Sequence, residues 1–491
     1  MGIQFSGLAS GLDTQSIIAD LMKLERTKSE KVEKQKTMVE WKKEAWKEMN
    51  NKIYSFYKSE LFNFKSSSTY NKKTVTSSNT SAIKINSSPD GVNGSHDVEV
   101  TNVAKGSFLT GTELGSTVTS STTMGELAVF AEGETKALQI KLADGDAFQE
   151  ITVAATDTIS SVINKIKDLD LDLNISFDNN FKRIFTSSQN TGDGIKLSVS
   201  GDDSLLTALG FGAANRTGSL GEDATFVYNG ATLSSSTNEV SVNGISMTIL
   251  GEGSSTISVS QNTDEIYDSI KSFLTKYNEL IAEITEKTSA ASARKFSPLT
   301  AEEKDAMTET EVELWEGKIK GALFRNDQTL IDISSSLRNT LTINQGVDTS
   351  SFSIKNLADL GIVTGNYTEK GLLHIQGDED DTLYALKENK LRKAIEEDPD
   401  GVMELMTALG GQLYSDFGEK MKSSSLSSAF TFYNDKQLDK QVSAYETELE
   451  KLEERYTVIE ERYYSQFTAM EQAMQKSQST SDWLSQQLGG M

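Results

Sequence analysis

Apolar residues recur at alternating steps of four and three near the carboxyl-terminal end of this chain. They occupy Leu438, Val442, Tyr445, Leu449, Leu452, Tyr456, Ile459 and Tyr463. This spacing is the seam of a coiled coil, and it predicts a helix that needs a partner, since one helix cannot bury such a stripe alone. A further step of four to Phe467 is a stutter, which predicts local unwinding. We expect Leu449→Asp to unfold the pair, because it would bury an unpaired charge.

A second apolar stripe, at helical spacing, follows the predicted N-cap Asp13. Its positions are Ile17, Leu21, Leu24, Val32, Val39, Trp46, Met49, Ile53, Tyr57, Leu61 and Phe64. Between Lys23 and Lys52 there are ten Lys or Arg against six Glu, whereas Asp435 to Arg462 holds nine acids against five bases. The complementary charges predict an antiparallel pair of terminal helices, with charge guiding register more than adding stability. The alternative is two unrelated solvated helices.

The middle of the chain is rich in Ser, Thr, Asn and Gly and carries short alternating runs. Between about Val75 and Val259 these runs include AIKIN, HDVEVTNV, ALQIKLA, FQEITVAA, GIKLSVS, EVSVNGISMTI and STISVS. Such runs predict β-strands, and Asn243-Gly244 between two of them predicts a tight hairpin. One helix is predicted to begin after Thr158.

Helical periodicity resumes at Ile266. Three residue pairs have the spacing of a capping box: Asn262 with Glu265, Thr300 with Glu303, and Thr308 with Glu311. A further helix is predicted to start at Asp327, and GNYTEKGLLHI predicts a hairpin. The spacing of Leu383, Leu386, Leu391 and Ile395 predicts helix up to Pro399.

These patterns predict an α+β fold, in which long terminal α-helices form a coiled-coil or helical-bundle shaft and an antiparallel β-rich head is inserted between them in the sequence. We favour two β domains in the head. The predicted domains are terminal legs (1–43 and 460–491), a helical shaft and body (44–72 and 263–459), an inner β domain (73–105 and 225–262) and an outer β domain (106–224).

Composition excludes several kinds of function. A net charge of −24 argues against nucleic acid or an anionic membrane surface as a partner. Cysteine is absent and the histidines are His96 and His374, which excludes disulfides and thiolate zinc sites. The chain has no run of about 18 apolar residues, which a membrane-spanning helix would need. The opening residues also lack the pattern of a cleavable secretory signal. We expect either a cytoplasmic protein or export by another route.

No motif assembles a catalytic site, and we predict neither an enzyme nor a cofactor. DLDLDLN (168–174) lacks the glycine and closing glutamate of a calcium loop. GFGAAN (210–215) lacks the βαβ setting of a dinucleotide site, and GLASG (7–11) is not a nucleophile elbow. The two histidines lie in predicted strands, where a surface or hydrogen-bonded role is expected.

Four segments, in order along the chain, carry a family resemblance. They are FSGLASGLDTQSIIADLMKLER, FSPLTAEEKDAMTETEVELWEGKIKGALFRNDQTLIDISSSLR, LADLGIVTGNYTEKGLLHI and QFTAMEQAMQKSQSTSDWLSQQLGG. Together they resemble the bacterial flagellar filament cap family, hook-associated protein two. The resemblance implies a non-enzymatic protein exported by the flagellar type III apparatus to the extracellular filament tip. It also implies a homo-oligomeric ring that promotes insertion of flagellin, with flagellin and an export chaperone as partners.

By position, this resemblance assigns the terminal segments to contacts with the filament or with sibling subunits. The residues expected to make them are Phe5, Leu8, Ile17, Leu21, Trp483, Leu484 and Leu488. The seven heptad residues from Leu438 to Ile459 are expected to hold the shaft. Two alternatives stay open: another flagellar axial protein, or a secreted adhesin that binds host glycans through the β head. Ring size cannot be predicted, because heptads within one chain do not fix the rotation between chains.

Overall fold

The computed structural model describes residues 13–88, 90–143, 145–212 and 217–489. These residues form two compact units: a helical unit of residues 13–70 and 264–489, and a β unit of residues 71–263. The β unit is therefore inserted into the sequence of the helical unit. The predicted fold class, long terminal helices with an inserted antiparallel β-rich region, is confirmed.

The helices are numbered along the chain. They are α1 (Thr14–Ser55), α2 (Phe62–Phe64), α3 (Met124–Leu127), α4 (Ile159–Lys167), α5 (Asp203–Ala208), α6 (Thr263–Thr288), α7 (Ala301–Asp305), α8 (Glu309–Gly321), α9 (Gln328–Ile343), α10 (Lys390–Glu397), α11 (Pro399–Lys420) and α12 (Asp435–Leu488). A π-helical stretch, Phe56–Leu61, joins α1 to α2. Short 3-10 turns lie at Ser67–Thr69 and Tyr367–Glu369.

Several helices begin at the side chains that the sequence predicts as caps. Asp13 accepts a hydrogen bond from the Ser16 N–H at 3.1 Å, which satisfies one of the free donors at the start of α1. Thr158 caps α4, and capping boxes at Thr300 and Thr308 open α7 and α8. Asp327 caps α9. These predictions are confirmed.

The strands pair in antiparallel sheets. They are β1 (Lys73–Ser77), β2 (Ile83–Ser87), β3 (Gly94–Asn102), β4 (Phe108–Thr110), β5 (Thr135–Ala143), β6 (Gln149–Ala154), β7 (Leu173–Asp178), β8 (Arg183–Ser188), β9 (Ile195–Gly201), β10 (Thr217–Ser219), β11 (Ala224–Tyr228), β12 (Ala231–Ser235), β13 (Glu239–Val242), β14 (Ile245–Ile249), β15 (Gly253–Gln261), β16 (Ile362–Thr364) and β17 (Leu373–Ile375). The hairpin β13–β14 turns at Asn243 and Gly244, both with positive φ, as the Asn-Gly pair predicts. The predicted hairpin in GNYTEKGLLHI is β16–β17.

The described part of the β unit has two apolar clusters. One lies between the sheet ordered β1-β15-β3-β11-β12 and the sheet ordered β13-β14-β2, with Phe226 and Met247 fully buried. The other involves the sheets ordered β10-β4-β8-β7 and β6-β5-β9 together with α4 and α5, with Leu138 and Leu205 fully buried. In both clusters alternate strand residues point inward, which is why the sequence alternates apolar and polar positions.

The helical unit has a large core that we call the body. It collects buried side chains from the carboxyl-terminal half of α1, from α2, α6, α9, α10 and α11, and from the β16–β17 hairpin. Trp46 packs edge-on against Phe324, with ring centroids 5.0 Å apart, and stacks on Tyr433 at 5.2 Å. Phe64 stacks on Phe273 at 3.7 Å. These aromatic contacts fix α1 and α2 against three neighbouring segments.

Two local features of the structure differ from what the sequence indicates. Leu383 and Leu386 do not continue a helix: residues 380–387 form turns, both leucines are exposed, and α10 begins only at Lys390. The π-helical stretch after α1 was not predicted. Next to it, Gly410 of α11 approaches so closely that a Cβ there would lie 2.7 Å from the backbone nitrogen of Lys65. Such contacts between distant segments are not encoded in local periodicity.

Candidate assembly surface: the paired terminal helices

Helices α1 and α12 run antiparallel. The Lys36 Nζ lies 3.2 Å from the Glu446 Oε1, and the Lys43 Nζ lies 2.5 Å from the Asp439 Oδ1. Moving seven residues forward on α1 therefore moves seven residues back on α12, which is one heptad. We call α1 residues 14–43 and α12 residues 439–468, which this register places side by side, the stalk.

The stalk is held by a narrow apolar seam. Its buried side chains are Ile18, Met22 and Val32 of α1 and Leu452, Tyr456 and Ile459 of α12. Tyr445 and Leu449 are half-buried against them. Leu438 packs against the body instead, and Val442 is half-buried between the two regions. Five of the seven predicted heptad residues, from Tyr445 to Ile459, thus lie in the stalk seam, whereas Leu438 belongs to the body.

Charged pairs along the stalk set its register. The hydrogen bond to Glu446 raises the pKa of Lys36, and the hydrogen bond to Asp439 raises the pKa of Lys43. Both lysines keep solvent-accessible side chains, so each ion pair contributes at most about 1 kcal/mol. The pairs therefore select the alignment of the helices, while the apolar seam provides most of the stability.

Ion pairs with α7, from the middle of the chain, also hold α1. Lys34 donates to Glu303 at 2.7 Å and 2.9 Å, and Lys23 lies 3.1 Å from Glu302. Glu303 also closes the capping box of α7 by accepting from the Thr300 N–H. The hydrogen bond from Lys34 is the largest cause of its lowered pKa. The sequence identified Glu303 as a capping residue but gave no signal for the partner on α1.

Helix α12 continues well past the start of α1. The register places Thr14 opposite residue 468, so α12 residues 469–488 lie opposite no described residue of α1. This overhang is about 30 Å long. It exposes Trp483 (58%), Leu484 (47%) and Leu488 (73%). A helix end with large apolar side chains in water is a candidate interaction surface.

Of the other four predicted contact residues, two lie on α1 and two lie outside the described part of the chain. Ile17 and Leu21 lie in the first turns of α1 and are half-buried beside the stalk seam. Phe5 and Leu8 lie outside the described residues. The structure therefore brings Ile17 and Leu21 to the stalk and places Trp483, Leu484 and Leu488 on the overhang.

Both histidines are hydrogen-bonded. The buried His96 ring lies 2.8 Å from the Val92 carbonyl oxygen and 2.9 Å from the Tyr228 hydroxyl. The His374 ring nitrogens lie 2.6 Å from Asp381 and 2.9 Å from Glu369. Among residues 13–489, apart from the few left undescribed, no group of His, Cys, Asp and Glu is arranged to hold a metal ion. No helix in that same part of the chain is long and apolar enough to cross a bilayer.

This architecture matches a known protein family. The family described as flagellar hook-associated protein 2 C-terminus matches residues 221–479, and the corresponding N-terminus matches residues 10–107. The chain belongs to the flagellar hook-associated protein 2 family. The matched regions contain all of α1 and α12 up to residue 479, so both helices of the stalk are family features.

Individual relatives support the assignment across nearly the whole chain. Flagellar hook-associated protein 2 of Halalkalibacterium halodurans is 27% identical over 97% of this chain and 98% of its own length. The Thermotoga maritima protein of the same name is 30% identical over 70% of this chain and 54% of its own length. The crystal structure of the Escherichia coli flagellar cap protein FliD, domains D1-D2-D3, has the same fold, with a TM-score of 0.55 and 21% identity over 76% of this chain and 96% of that one.

Proposed function

We propose that this protein is a non-enzymatic cap at the distal tip of the flagellar filament. Several copies form a ring that promotes the insertion of exported flagellin subunits as the filament grows. The observation that carries this proposal is the α12 overhang, whose Trp483, Leu484 and Leu488 are exposed on a chain of the hook-associated protein 2 family. A helix end with an unburied apolar surface needs neighbouring molecules to cover it.

The overhang gives a physical route to reversible attachment. Docking would bury its apolar side chains against filament or sibling subunits and would also immobilise those side chains, so part of the binding free energy is offset by the cost of ordering them. A contact of this kind can be released and remade as each flagellin is added. In this proposal residues 1–43 and 460–491 act as legs, residues 44–72 and 263–459 as the body, and the two β domains (73–105 with 225–262, and 106–224) as the outer plate.

The proposed location and partners follow from this role. The protein leaves the cell through the flagellar type III apparatus, is accompanied by an export chaperone before secretion, and resides outside the cell at the filament tip. Its partners there are further copies of itself and flagellin. The family match favours this reading over flagellin or a junction protein, which were the axial alternatives.

The test changes only the overhang. In a strain of the source bacterium that lacks this protein, the variant Trp483→Asp with Leu484→Asp and Leu488→Asp is expected to be secreted and folded but to leave hooks without filaments. Flagellin monomers should accumulate in the medium. The measurements are electron microscopy of the flagella, immunoblots of cap protein and flagellin in the medium, and circular dichroism of the purified variant.

A matched control adds the same charge to the same helix. Gln478→Asp with Ser481→Asp and Ser485→Asp changes polar, exposed positions of the overhang. Filaments should grow normally with this control, because no apolar contact is removed. Normal filaments with the Trp483, Leu484 and Leu488 variant would refute the proposed role of the overhang.

A second candidate function rests on the β unit. Phe108 of β4 pairs with Ser187, and Thr110 pairs with Phe185 of β8, so the two phenylalanines are diagonal neighbours on one face of the sheet. Each is 41% exposed. An exposed aromatic pair among Ser, Thr and Asn side chains favours an additional adhesive role towards glycans. Equal glycan binding by the full chain and by Phe108→Ala with Phe185→Ala would refute it.

A further inference from the structure

A groove runs along one side of the stalk. Half-buried apolar side chains line it: Met38 and Val39 of α1, Phe296 of the loop 289–299, Leu323, and Leu438 and Tyr445 of α12. It comprises two adjoining cavities of about 660 Å³ and 620 Å³, which share Met38, Val39 and Phe296. We call it the stalk-side groove. Its wall is fixed, because the Trp315 indole N–H donates to the Ser297 carbonyl oxygen and Phe296 packs edge-on against Trp315.

The groove is basic, although the chain carries a net charge of −24. Its lining includes the cations Lys31, Lys34, Lys42, Arg294 and Arg325 and the anions Glu30 and Asp327. Lys34 and Lys42 are paired with Glu303 and Asp327, whereas Arg294 forms no ion pair with any residue that the structure describes. A partner that fits this surface offers exposed apolar side chains flanked by carboxylates.

The chain itself carries such a segment at residues 378–388, which we call the acidic loop. It holds five carboxylates and one lysine, and its Leu383 and Leu386 are 69% and 101% exposed. Lys271 of α6 contacts Asp378 and Asp380, and Lys393 contacts Glu388, so the loop keeps a negative balance after these pairings. The two leucines are among the most exposed large apolar residues in the described chain.

The acidic loop is held in one conformation before any partner binds. The Lys271 Nζ lies 2.5 Å from both Asp378 Oδ1 and Asp380 Oδ2, and the His374 Nδ1 lies 2.6 Å from Asp381 Oδ2. Backbone hydrogen bonds from Tyr384 and Ala385 to the Asp381 carbonyl oxygen close the turn. A loop that is already ordered loses little entropy on docking. Exposed leucines on a fixed support are typical of an interface anchor rather than of a flexible surface turn.

The loop does not fill the groove of its own chain. Lys271, which holds the loop, is near the start of α6, whereas the carbonyl oxygen of Thr288 at its end accepts from Asn326 in the groove wall. These two points on α6 are about 25 Å apart. Two complementary surfaces this far apart on one rigid unit match a head-to-tail contact between copies, which closes into a ring when the rotation between copies allows it.

We propose that the acidic loop of one copy docks into the stalk-side groove of the next copy in the ring, with Leu383 and Leu386 against the groove's apolar lining. This inference rests on the proposed ring and names the surfaces that join its members. The contact ties the body of each copy to the stalk of its neighbour. The α12 overhang takes no part in it, so the ring holds together while the overhangs are released and rebound.

A cysteine-free chain allows a direct test, since any introduced thiol is unique. Two full-length single variants, Ser292→Cys in the groove and Thr382→Cys in the loop, are purified, mixed and oxidised. The mixture is expected to give covalent dimers on non-reducing electrophoresis, whereas each variant alone is not, because a head-to-tail contact never brings two identical sites together. Ser350→Cys, which lies in neither surface, replaces Thr382→Cys as the control and should give no dimer.

Two further variants test the chemistry of the contact. Leu383→Ser with Leu386→Ser should lower the cross-linking yield about tenfold, the effect of losing one strong apolar anchor. Arg294→Glu with Lys31→Glu should also lower it, and combining that groove with a Glu379→Lys loop should restore it. Circular dichroism checks that each variant is folded.

The outcomes separate this inference from the proposed cap function. If light scattering shows rings while the Ser292 and Thr382 variants never cross-link, the assigned surfaces are wrong and the ring stands. If purified flagellin that carries an introduced cysteine links to the groove cysteine instead, the groove belongs to flagellin and the inference is overturned. If the chain stays monomeric even on filament ends, both the inference and the proposed ring fail.

Discussion

The two halves of α1 meet different surroundings. In its first half, Ile18, Met22 and Val32 are buried mainly against one partner helix, α12. In its second half, Trp46, Met49 and Ile53 lie inside the body, which buries side chains from many elements. A continuous helix is thus stabilised unevenly along its length. We expect the body to unfold cooperatively and the stalk to open locally at a lower free energy.

The difference suits the proposed role. A cap needs a rigid part that keeps its shape and terminal parts that can rearrange against new neighbours. The body gains stability from burial on all sides, whereas the stalk buries one stripe and leaves the remaining faces of both helices in water. Substitutions of matched chemistry in the two regions should therefore differ in how much stability they remove and in how many residues they affect.

The largest effect is expected in the body. Leu409 of α11 is fully buried, so Leu409→Ala should lower the free energy of global unfolding by about 2–5 kcal/mol through lost burial and a residual cavity. Denaturant unfolding followed by circular dichroism measures it. Leu314→Ala on α8, where the side chain is 64% exposed, is the control and should change stability by less than about 0.5 kcal/mol. Equal losses for both variants would contradict the structure of the body.

A smaller and more local effect is expected in the stalk. Leu452→Ala should weaken the pairing of α1 and α12 by about 1–3 kcal/mol, because Leu452 is buried in the seam. Hydrogen exchange measured by mass spectrometry should rise in residues 14–43 and 439–468 and stay unchanged in α6 and α11. The control is Val458→Ala on the same helix, where the side chain is 65% exposed. Faster exchange throughout the body would show that the two regions are one cooperative unit.

The same contrast revises the substitution that the heptad pattern first indicates. Leu449 is central in the repeat, but the structure leaves it half-buried, so an aspartate there can reach water. That Leu449→Asp unfolds the pair stays a prediction, and its cost is expected to be smaller than that of a charge at a fully buried position. Heptad spacing identifies which residues face a partner, but the depth of burial depends on the partner's side chains. Leu452 is the more sensitive position.

Sequence reasoning succeeded where the signal is local. The heptads of α12, the caps at Thr158 and Thr300, and the Asn243-Gly244 turn each depend on residues within one element, and the structure contains all of them. It failed where residues distant in sequence determine the local conformation. Leu383 and Leu386 have helical spacing, but Lys271 of α6 holds the neighbouring aspartates in a turn. The stalk-side groove also has no sequence signal, because its lining comes from four separate stretches of the chain.

The smallest expected effect compares two buried tyrosines, one in each region. Tyr456 is 2% exposed in the stalk, and its hydroxyl has no hydrogen-bond partner among the described residues. Tyr70 is equally buried in the body, but its hydroxyl donates to the Phe64 carbonyl oxygen at 2.6 Å. A buried hydroxyl without a partner costs free energy, whereas a satisfied one contributes about 1 kcal/mol.

Removal of the two hydroxyls should therefore change the free energy of unfolding in opposite directions. Tyr456→Phe is expected to leave stalk stability unchanged or raise it by up to about 1 kcal/mol, because the folded state no longer carries an unsatisfied group. Tyr70→Phe should lower body stability by about 1 kcal/mol and leave the Phe64 carbonyl without that donor. Hydrogen exchange of residues 439–468 reports on the first variant, and the denaturant midpoint reports on the second. A loss of stalk protection in Tyr456→Phe would mean that this hydroxyl finds a partner in solution, and the seam would then be less dry than its burial indicates.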